Sequence, residues 1–316
     1  MNNIIAGIHH ITAIAGEPQR NLDFYTRLLG LCMIKLTVNF DDPGTYHFYF
    51  ADSVGSPGSV LTFFPWADIP RGHGGSGLAR TTTFRVSRQS IPFWVDRLAA
   101  MAIVFDSPRQ FFGRETVTFK DPDGLELALV GEDSSDNHPF LAKDIPSEHS
   151  IIGFDSISLA VADGTETIRL FTEIFGATVF ATEENITRLH LGAAPDGIGK
   201  VVDIIETGDR THGRMGAGAV HHVAFRCASD EEQLMWQERL RTAGHDVTEV
   251  QDRCYFHSIY FREPGGILFE IATDPPGFAI DEAPDRLGTS LKLPPWYEER
   301  RAAIESRLPK LKLPSY

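Results

Sequence analysis

The chain has 316 residues, of which 42% are hydrophobic, and its formal net charge is −14 at pH 7. This composition is typical of a globular protein with one large or two medium-sized domains, and the acidic balance argues against nucleic acid or an anionic membrane surface as the main partner. No apolar run approaches the roughly 20 residues of a membrane-spanning helix, and MNNIIAGIHH lacks the features of a signal peptide. We therefore expect a cytoplasmic protein without a membrane or nucleic-acid partner. A homo-oligomer is among the states that the sequence allows.

The first predicted strand, GIHHITAI (7–14), places His9 and His10 inside an apolar segment. A buried histidine costs free energy unless a partner bonds it, so the pair suggests a metal. The next segment, RNLDFYTRLLG, has apolar residues at helical spacing, and Gly30 predicts the end of that helix. The aromatic runs YHFYFAD and SVLTFFPW then predict strands.

This order of elements recurs three more times along the chain. GLARTTTFRV (77–86) aligns without a gap with GAVHHVAFRC (218–227), and GFDSISLA (153–160) aligns with GIHHITAI. Each start is followed by a helical stretch and then by β-rich runs, and KDPDGLEL and REPGGILF predict tight turns before the last strands of units two and four. Each unit is therefore predicted to be β-α-β-β-β.

We predict an α+β fold of four such units, arranged as two paired domains with open-barrel sheets. Residues 1–131 hold units one and two, 132–150 form an acidic, polar linker, and 151–273 hold units three and four. The tail, 274–316, is rich in proline and then helical around WYEERRAAIESRL, and we expect it to cover the body of the protein.

Comparison of the units singles out the second histidine of each pair. Units one and four have His10 and His222 at this position, whereas units two and three have Thr81 and Ser156. Because successive side chains of a strand point to opposite faces, only one histidine of each pair can point straight into a cleft. We take the second of each pair as a metal ligand.

Unit four has one further residue that its counterpart lacks, because Glu270 aligns with Ala128 of unit two. Two imidazoles and one carboxylate with open coordination positions match the ligand set of non-haem Fe(II) oxygenases, although a hydrolytic zinc can use the same donors. Ligand type does not separate Fe(II) from Mn(II). The three cysteines are odd in number and show no C-x-x-C spacing, which argues against a disulfide framework or a zinc–cysteine site.

Other polar residues of the strands have less specific interpretations. His9 and His221 are expected to border the site, where they would orient the ligands or pass protons, with strand packing as the alternative. His47 and His257 lie in aromatic strands, for which packing is expected, and Glu126 could face the unused cleft of units two and three.

The four units resemble the vicinal oxygen chelate (glyoxalase/bleomycin resistance/dioxygenase) superfamily. GIHHIT, DDPGTYHFYFAD, VHHVAF, RCYFHSIYFREPGGILFEIATDPPGF and LGTSLKLPPWYEERRAAIE are similar to its branch of hydroquinone ring-cleaving dioxygenases, over nearly the whole chain. The resemblance implies iron ligands at His10, His222 and Glu270, and polar pocket residues at His9, Thr12, His221, Arg253 and Tyr260. In that branch units one and four build the site, whereas the catechol-cleaving enzymes use units three and four, where this chain has Ser156.

The resemblance implies extradiol-type cleavage, in which a hydroquinone and dioxygen bind one Fe(II) and the ring opens beside the bound hydroxyl with insertion of both oxygen atoms. Arg253 would hold a phenolate, Tyr260 would donate a hydrogen bond to the second hydroxyl, and Thr12 would line the pocket. Structural roles are the alternatives for these three residues: an ion pair, core packing and ordinary β-propensity. At the level of the whole protein, the alternatives are a metal-dependent glyoxalase or isomerase, a catechol dioxygenase, and a non-enzymatic binding protein.

Overall fold

The computed structural model describes residues 4–133, 142, 144–193, 197–209 and 211–314. The strands are β1 Ile8–Ala15, β2 Cys32–Val38, β3 Tyr46–Ala51, β4 Val60–Pro65, β5 Leu78–Val86, β6 Arg109–Phe111, β7 Arg114–Lys120, β8 Glu126–Gly131, β9 Gly153–Val161, β10 Thr178–Glu183, β11 Ile186–His190, β12 Val201–Glu206, β13 Val220–Cys227, β14 Gln251–Asp252, β15 Phe256–Arg262 and β16 Leu268–Pro276. The α-helices are α1 Pro18–Asp23, α2 Ile91–Ala100, α3 Thr165–Arg169, α4 Asp230–Thr242 and α5 Arg301–Glu305. None of the described helices combines the length and apolar composition required to cross a bilayer.

The strands form two curled, eight-stranded sheets. The first has the order β14-β15-β16-β13-β1-β4-β3-β2 and joins units one and four, and the second has the order β10-β11-β12-β9-β5-β8-β7-β6 and joins units two and three. The units meet through the antiparallel pairs β1–β13 and β5–β9. The predicted α+β fold of four β-α-β-β-β units is confirmed.

The sheets do not follow the two halves of the chain. Each sheet takes one unit from residues 1–131 and one from residues 151–273, so both halves are needed to complete either sheet. The predicted domain boundaries themselves stay a prediction. Residues 134–141 and 143 of the predicted linker lie outside the described residues.

The helices of units one and three share an unusual form. After α1 and α3 the chain continues as π-helical turns, Phe24–Leu28 and Leu170–Ile174, and both segments end before a glycine with positive φ, 71° at Gly30 and 74° at Gly176. This conformation is inexpensive only for glycine, which explains why the predicted helix end at Gly30 is found.

Hydrogen bonds connect these helical segments to the turns of the next unit. The Tyr25 hydroxyl donates to Asp121 Oδ2 (3.0 Å), in the turn of unit two, and the Thr167 hydroxyl donates to Glu263 Oε2 (2.7 Å), in the turn of unit four. Asp121 Oδ1 also accepts from the backbone N–H groups of Asp123 and Leu125. Consecutive units are therefore joined outside the sheets. In both halves a hydroxyl of the helical segment donates to a carboxylate in the turn of the next unit.

The C-terminal tail is fixed to unit one by a buried lysine. Lys35 on β2 is fully buried, and its Nζ lies 2.5 Å from Asp281 Oδ1 and 2.6 Å from Glu282 Oε2. Farther along, Leu293 and Ile304 pack into the main hydrophobic core. The predicted helical segment is shorter than expected, since a 3₁₀ stretch, Pro295–Arg300, precedes the single turn of α5.

The buried carboxyl of Asp121 makes stability depend on pH. Burial raises its pKa from 3.8 to about 6, so the folded state binds more protons than the unfolded state, and this contribution to stability is lost as the pH rises through 6. Asp121→Asn keeps the acceptor oxygen and removes the buried charge. We expect its stabilisation relative to wild type to be larger at pH 8 than at pH 5, by roughly 1 kcal/mol.

Urea unfolding of both proteins at the two pH values tests this expectation. Asp106→Asn, on an exposed position of the same unit, is the matched control and should show no such difference. Equal stability differences for Asp121→Asn at pH 5 and pH 8 would contradict the assignment.

Candidate metal centre and cavity

The three predicted ligands converge where units one and four meet. His10 on β1, His222 on β13 and Glu270 on β16 are all buried, and their ligand atoms lie within 4.8 Å of one another. His222 Nε2 lies 2.9 Å from Glu270 Oε2 and 3.3 Å from His10 Nε2, and His10 Nε2 lies 3.4 Å from the same carboxylate oxygen. Residues more than two hundred positions apart thus meet through the β1–β13 pair.

The carboxylate of Glu270 is suited to bind a cation. Its Oε1 accepts a hydrogen bond from the Ser258 hydroxyl, whereas Oε2 is buried beside the two imidazoles and accepts no hydrogen bond from them when both carry their proton on Nδ1. Although burial alone would raise its pKa, His10 and His222 hold the pKa of Glu270 well below its ordinary value. An ionised, unsatisfied buried oxygen between two imidazole nitrogens fits a divalent metal ion.

The first histidine of each pair fixes the ring of the second. His9 Nδ1 lies 2.9 Å from His10 Nδ1, and His221 Nδ1 lies 2.8 Å from His222 Nδ1. Burial lowers the pKa of His9 well below its ordinary value and that of His221 to about 3, so both are neutral and can accept a hydrogen bond. Each ligand histidine can then carry its proton on Nδ1 and present Nε2 to the metal.

Two β-bulges make these contacts possible. The register of β1 against β13 shifts between Ile8 and His10, which makes His9 the extra residue, and shifts again opposite His221. A bulge breaks strict alternation, so neighbouring side chains can share a face. This is why adjacent histidines touch although a regular strand would separate them.

A cavity of about 230 Å³ opens in front of the triad. Its lining residues come from both units and from the loop after β2: His10, Asn39, Phe40, Asp41, His47, Tyr49, Phe64, Trp66, His221, His222, Arg253, Phe256, Tyr260 and Glu270. Six of these fourteen residues are Phe, Tyr or Trp, and the polar groups cluster at the metal ligands, around Arg253 and on β3. The cavity is smaller than the roughly 300 to 1,000 Å³ of pockets for drug-sized ligands.

Arg253 and Tyr260 form a contact pair in the cavity wall. Arg253 Nε donates to the Tyr260 hydroxyl (3.2 Å), and its other nitrogens donate to Gln251 Oε1 (2.6 Å) and Asp41 Oδ2 (3.2 Å). Tyr260 is the cross-strand neighbour of Glu270, which places it beside the metal ligands. Burial raises the pKa of Tyr260, so its hydroxyl is protonated at neutral pH.

The other predicted site residues lie behind the cavity wall. Thr12 is fully buried and does not line the cavity; its hydroxyl lies 2.8 Å from that of Thr62. His9 is also absent from the lining and packs against Phe256, with 5.2 Å between ring centroids. Their contacts to the site are therefore indirect, through Thr62 and His10.

The sequence analysis missed several residues of the cavity. His47, expected to pack among aromatic residues, lines it together with Tyr49 two positions later on the same face of β3. Phe64 and Trp66 at the end of β4, and Asn39 in the loop after β2, were also not singled out. The alternation of YHFYF was the available signal for the two polar residues of β3.

In the second sheet, charged pairs occupy buried positions near those that hold the metal ligands in the first sheet. Asp155, which aligns with His9, is fully buried and binds Arg85 and Arg114. Arg188 and Asp203 make a bidentate pair at 2.7 and 2.8 Å. Glu126, considered for the unused cleft, accepts from the Thr81 hydroxyl. The described residues of this sheet hold no further group that could bind a metal.

Comparison with known proteins reveals a family match. The model of the Glyoxalase/Bleomycin resistance protein/Dioxygenase superfamily matches residues 7–129 and 153–271, which together make up most of the chain. The chain is 44% identical over 302 residues to MhqO of Bacillus subtilis, whose name describes a ring-cleaving dioxygenase, with 96% of this chain and 95% of MhqO covered. It is 29% identical over 301 residues, or 93% of each chain, to a chlorohydroquinone/hydroquinone 1,2-dioxygenase of Sphingobium indicum.

Solved structures agree with this match. A crystal structure from Bacillus subtilis, described as that of a dioxygenase, is 41% identical and superposes with a TM-score of 0.95, covering 99% of this chain and 100% of that one. Glyoxalase I from Zea mays superposes with a TM-score of 0.64 at 12% identity, covering 85% and 92% of the two chains, and shares the fold.

Removing a ligand should remove the metal. We expect Glu270→Gln to lower the iron retained after anaerobic loading and gel filtration at least tenfold, because a neutral amide replaces the only anionic donor. Glu126→Gln, the same change on the matching strand of the second sheet, should retain the wild-type iron content. Full iron content in Glu270→Gln would contradict the assigned triad.

Proposed function

We propose that this chain, which belongs to the Glyoxalase/Bleomycin resistance protein/Dioxygenase superfamily, is an Fe(II)-dependent ring-cleaving dioxygenase that opens a hydroquinone in the extradiol manner. The observation that carries the proposal is the buried triad of His10, His222 and Glu270 at the end of a small aromatic cavity. The relatives named as ring-cleaving dioxygenases support the reaction class, and the hydroquinone-cleaving relative supports the substrate class. Mn(II) suits the same donors.

The protein contributes position and electrostatics to such a reaction. When bound, Fe(II) supplies open coordination positions for a substrate oxygen and dioxygen, and the redox chemistry between them. His10, His222 and Glu270, which all line the cavity, would hold the ion there. His9 and His221 contact the ligand rings at Nδ1 and would keep them in the tautomer that presents Nε2 to the metal.

The cavity fits one substituted aromatic ring. Its volume of about 230 Å³ accommodates such a ring, and Phe64, Trp66 and Phe256 provide aromatic surface for stacking. A ring bound against these side chains would displace water, which strengthens the interaction between the reacting groups and the charges around them.

Arg253 and Tyr260 are placed to stabilise an anionic substrate oxygen near the metal. The guanidinium is permanently charged, and the protonated Tyr260 hydroxyl, which accepts from Arg253, can donate its own hydrogen to a phenolate. Both groups would favour deprotonation of the bound hydroxyl, which strengthens its binding to a cation.

Two other activities require metal ligands that differ from those of this chain. A glyoxalase or isomerase of this superfamily typically has a fourth protein ligand, and the described residues offer three. A catechol dioxygenase takes its ligands from units three and four, and this chain has the buried Ser156 at the position of the unit-three histidine.

Dioxygen uptake distinguishes these activities. We expect the Fe(II)-loaded protein to consume dioxygen with hydroquinone or a chloro- or methyl-substituted hydroquinone, and His222→Ala to reduce the rate at least a hundredfold, because it removes a metal ligand. Uptake with catechol alone would retain the iron site and overturn the substrate class. No uptake with any diphenol, despite bound iron, would favour the glyoxalase-type activity.

A further inference from the structure

A hydrogen-bonded chain of four side chains on β1, β4 and β3 ends in the cavity wall. Thr12 and Thr62 are joined at 2.8 Å, Thr62 Oγ1 lies 2.9 Å from His47 Nε2, and the Tyr49 hydroxyl lies 3.0 Å from His47 Nδ1. His47 and Tyr49 line the cavity, and none of the four residues belongs to the metal triad. Such a buried, connected network is costly to build unless every member is satisfied.

We propose that Tyr49, held in place by His47, binds the distal hydroxyl of the substrate, the one para to the oxygen that faces the metal. This inference rests on the proposed function, because it assumes a hydroquinone whose first oxygen faces His10, His222 and Glu270. It assigns Tyr49 to substrate binding and makes His47 a positioning residue.

The sheet register places Tyr49 at the right distance from the triad. His10 lies opposite Val60 on β4, and Tyr49 on β3 lies opposite Thr62, two residues farther along. With about 4.8 Å between strands and about 3.3 Å per residue, the Cα atoms of Tyr49 and His10 lie about 12 Å apart. Both side chains line the same cavity, so a hydroquinone ring can lie between the metal ligands and the Tyr49 side chain.

The network is uncharged, and it can either donate a hydrogen bond to a neutral hydroxyl or accept one from it. Burial lowers the pKa of His47 well below its ordinary value and raises that of Tyr49 well above its own, so neither is charged at neutral pH. The threonine hydroxyls can rotate, so the whole chain of hydrogen bonds can run in either direction. Tyr49 can therefore donate to the distal hydroxyl or accept from it.

The residues at the positions of Thr12, Thr62 and Tyr49 differ between the sheet that has the metal ligands and the sheet that lacks them. By register, Thr12 and Thr62 correspond to Ser158 and Asp203. Tyr49, which pairs with Thr62, then corresponds to Arg188, which pairs with Asp203. Where the metal ligands are absent, a charged pair occupies these positions, and where they are present the same positions are neutral and face a cavity.

Tyr260, expected from the sequence to bind the second hydroxyl, lies beside the metal ligands. It is the cross-strand neighbour of Glu270, its ring centroid lies 5.8 Å from that of His222, and its hydroxyl accepts from Arg253. This position suits the oxygen that faces the metal. We therefore assign Tyr260 to the substrate oxygen that faces the metal and Tyr49 to the distal oxygen.

Binding of hydroquinone and phenol to the Fe(II)-loaded protein without air tests the assignment. Phenol lacks the distal hydroxyl, so the ratio of the two dissociation constants isolates the contribution of that group. Binding is measured by quenching of tryptophan fluorescence or by calorimetry, with iron content and the unfolding midpoint recorded for each variant. Tyr46→Phe, which removes a hydroxyl from the same strand outside the cavity, is the matched control.

We expect wild type to bind hydroquinone about tenfold more tightly than phenol, the effect of roughly one hydrogen bond. Tyr49→Phe should bind both ligands equally, with the phenol constant within about twofold of wild type. His47→Leu should lower the ratio in the same way, because Tyr49 loses its support. Tyr260→Phe should weaken the binding of both ligands by the same factor. Tyr46→Phe should give the dissociation constants of wild type.

Two results would overturn the inference while leaving the proposed function intact. In the first, Tyr49→Phe keeps the tenfold preference for hydroquinone; in the second, Tyr260→Phe is the variant that abolishes it. If the iron-loaded wild type bound neither ligand, the proposed function would fail, and the inference would fail with it.

Discussion

The antiparallel pairing of β1 with β13 is the constraint on which the rest of the site depends. It joins the first unit to the last, so that the side chains of His10 and His222, which are offset by two residues in the register, meet across neighbouring strands. The next strand in the sheet, β16, adds Glu270. No single unit contains more than two of the three ligands. Metal binding therefore requires that both ends of the chain have folded onto each other, and it should stabilise that long-range pairing in return.

The two bulges in the β1–β13 pair determine which groups His9 and His221 contact. A regular strand would place His9 and His221 on the face away from the metal, where each would need another hydrogen-bond partner. With one extra residue at each bulge, each lies against its neighbour, and the ligand rings are fixed by groups from their own strands. The second sheet has register shifts at the matching positions, where Asp155 binds two arginines instead. The bulge is thus a property of the fold, and the residue on it decides whether it orients a metal ligand or completes an ion-pair network.

Much of the fold and the metal triad could be predicted from the sequence, because both depend on comparison among the four repeats. A difference at an aligned position, such as His222 against Thr81, is visible without any knowledge of three-dimensional contacts. The bulges were not predictable, since hydrophobic alternation does not mark an extra residue within an apolar strand. For this reason the role of His9 against His10 remained open, and Thr12 was placed in a cavity that it does not reach.

The cavity wall was harder to predict for a second reason. His47 and Tyr49 alternate with core residues along β3, but both faces of this strand are largely buried, so the alternation does not show that one face lines a cavity. Asn39 and Asp41 come from a loop, where position depends on tertiary packing.

The described residues of the two sheets indicate why only one sheet holds a candidate metal site. Both have polar positions at the same places inside a curled sheet, and a buried polar group must be paired or hydrogen-bonded. In the second sheet Arg85, Arg114 and Arg188 satisfy Asp155 and Asp203, and removing one partner of such a buried pair costs about 3 to 5 kcal/mol. In the first sheet Glu270 Oε2 has only the two ligand imidazoles beside it among the described residues, and a bound cation would complete its compensation. The same fold therefore accommodates its buried polar groups in two ways. In the second sheet they form ion pairs with each other, and in the first the Glu270 carboxylate stays available to a metal ion.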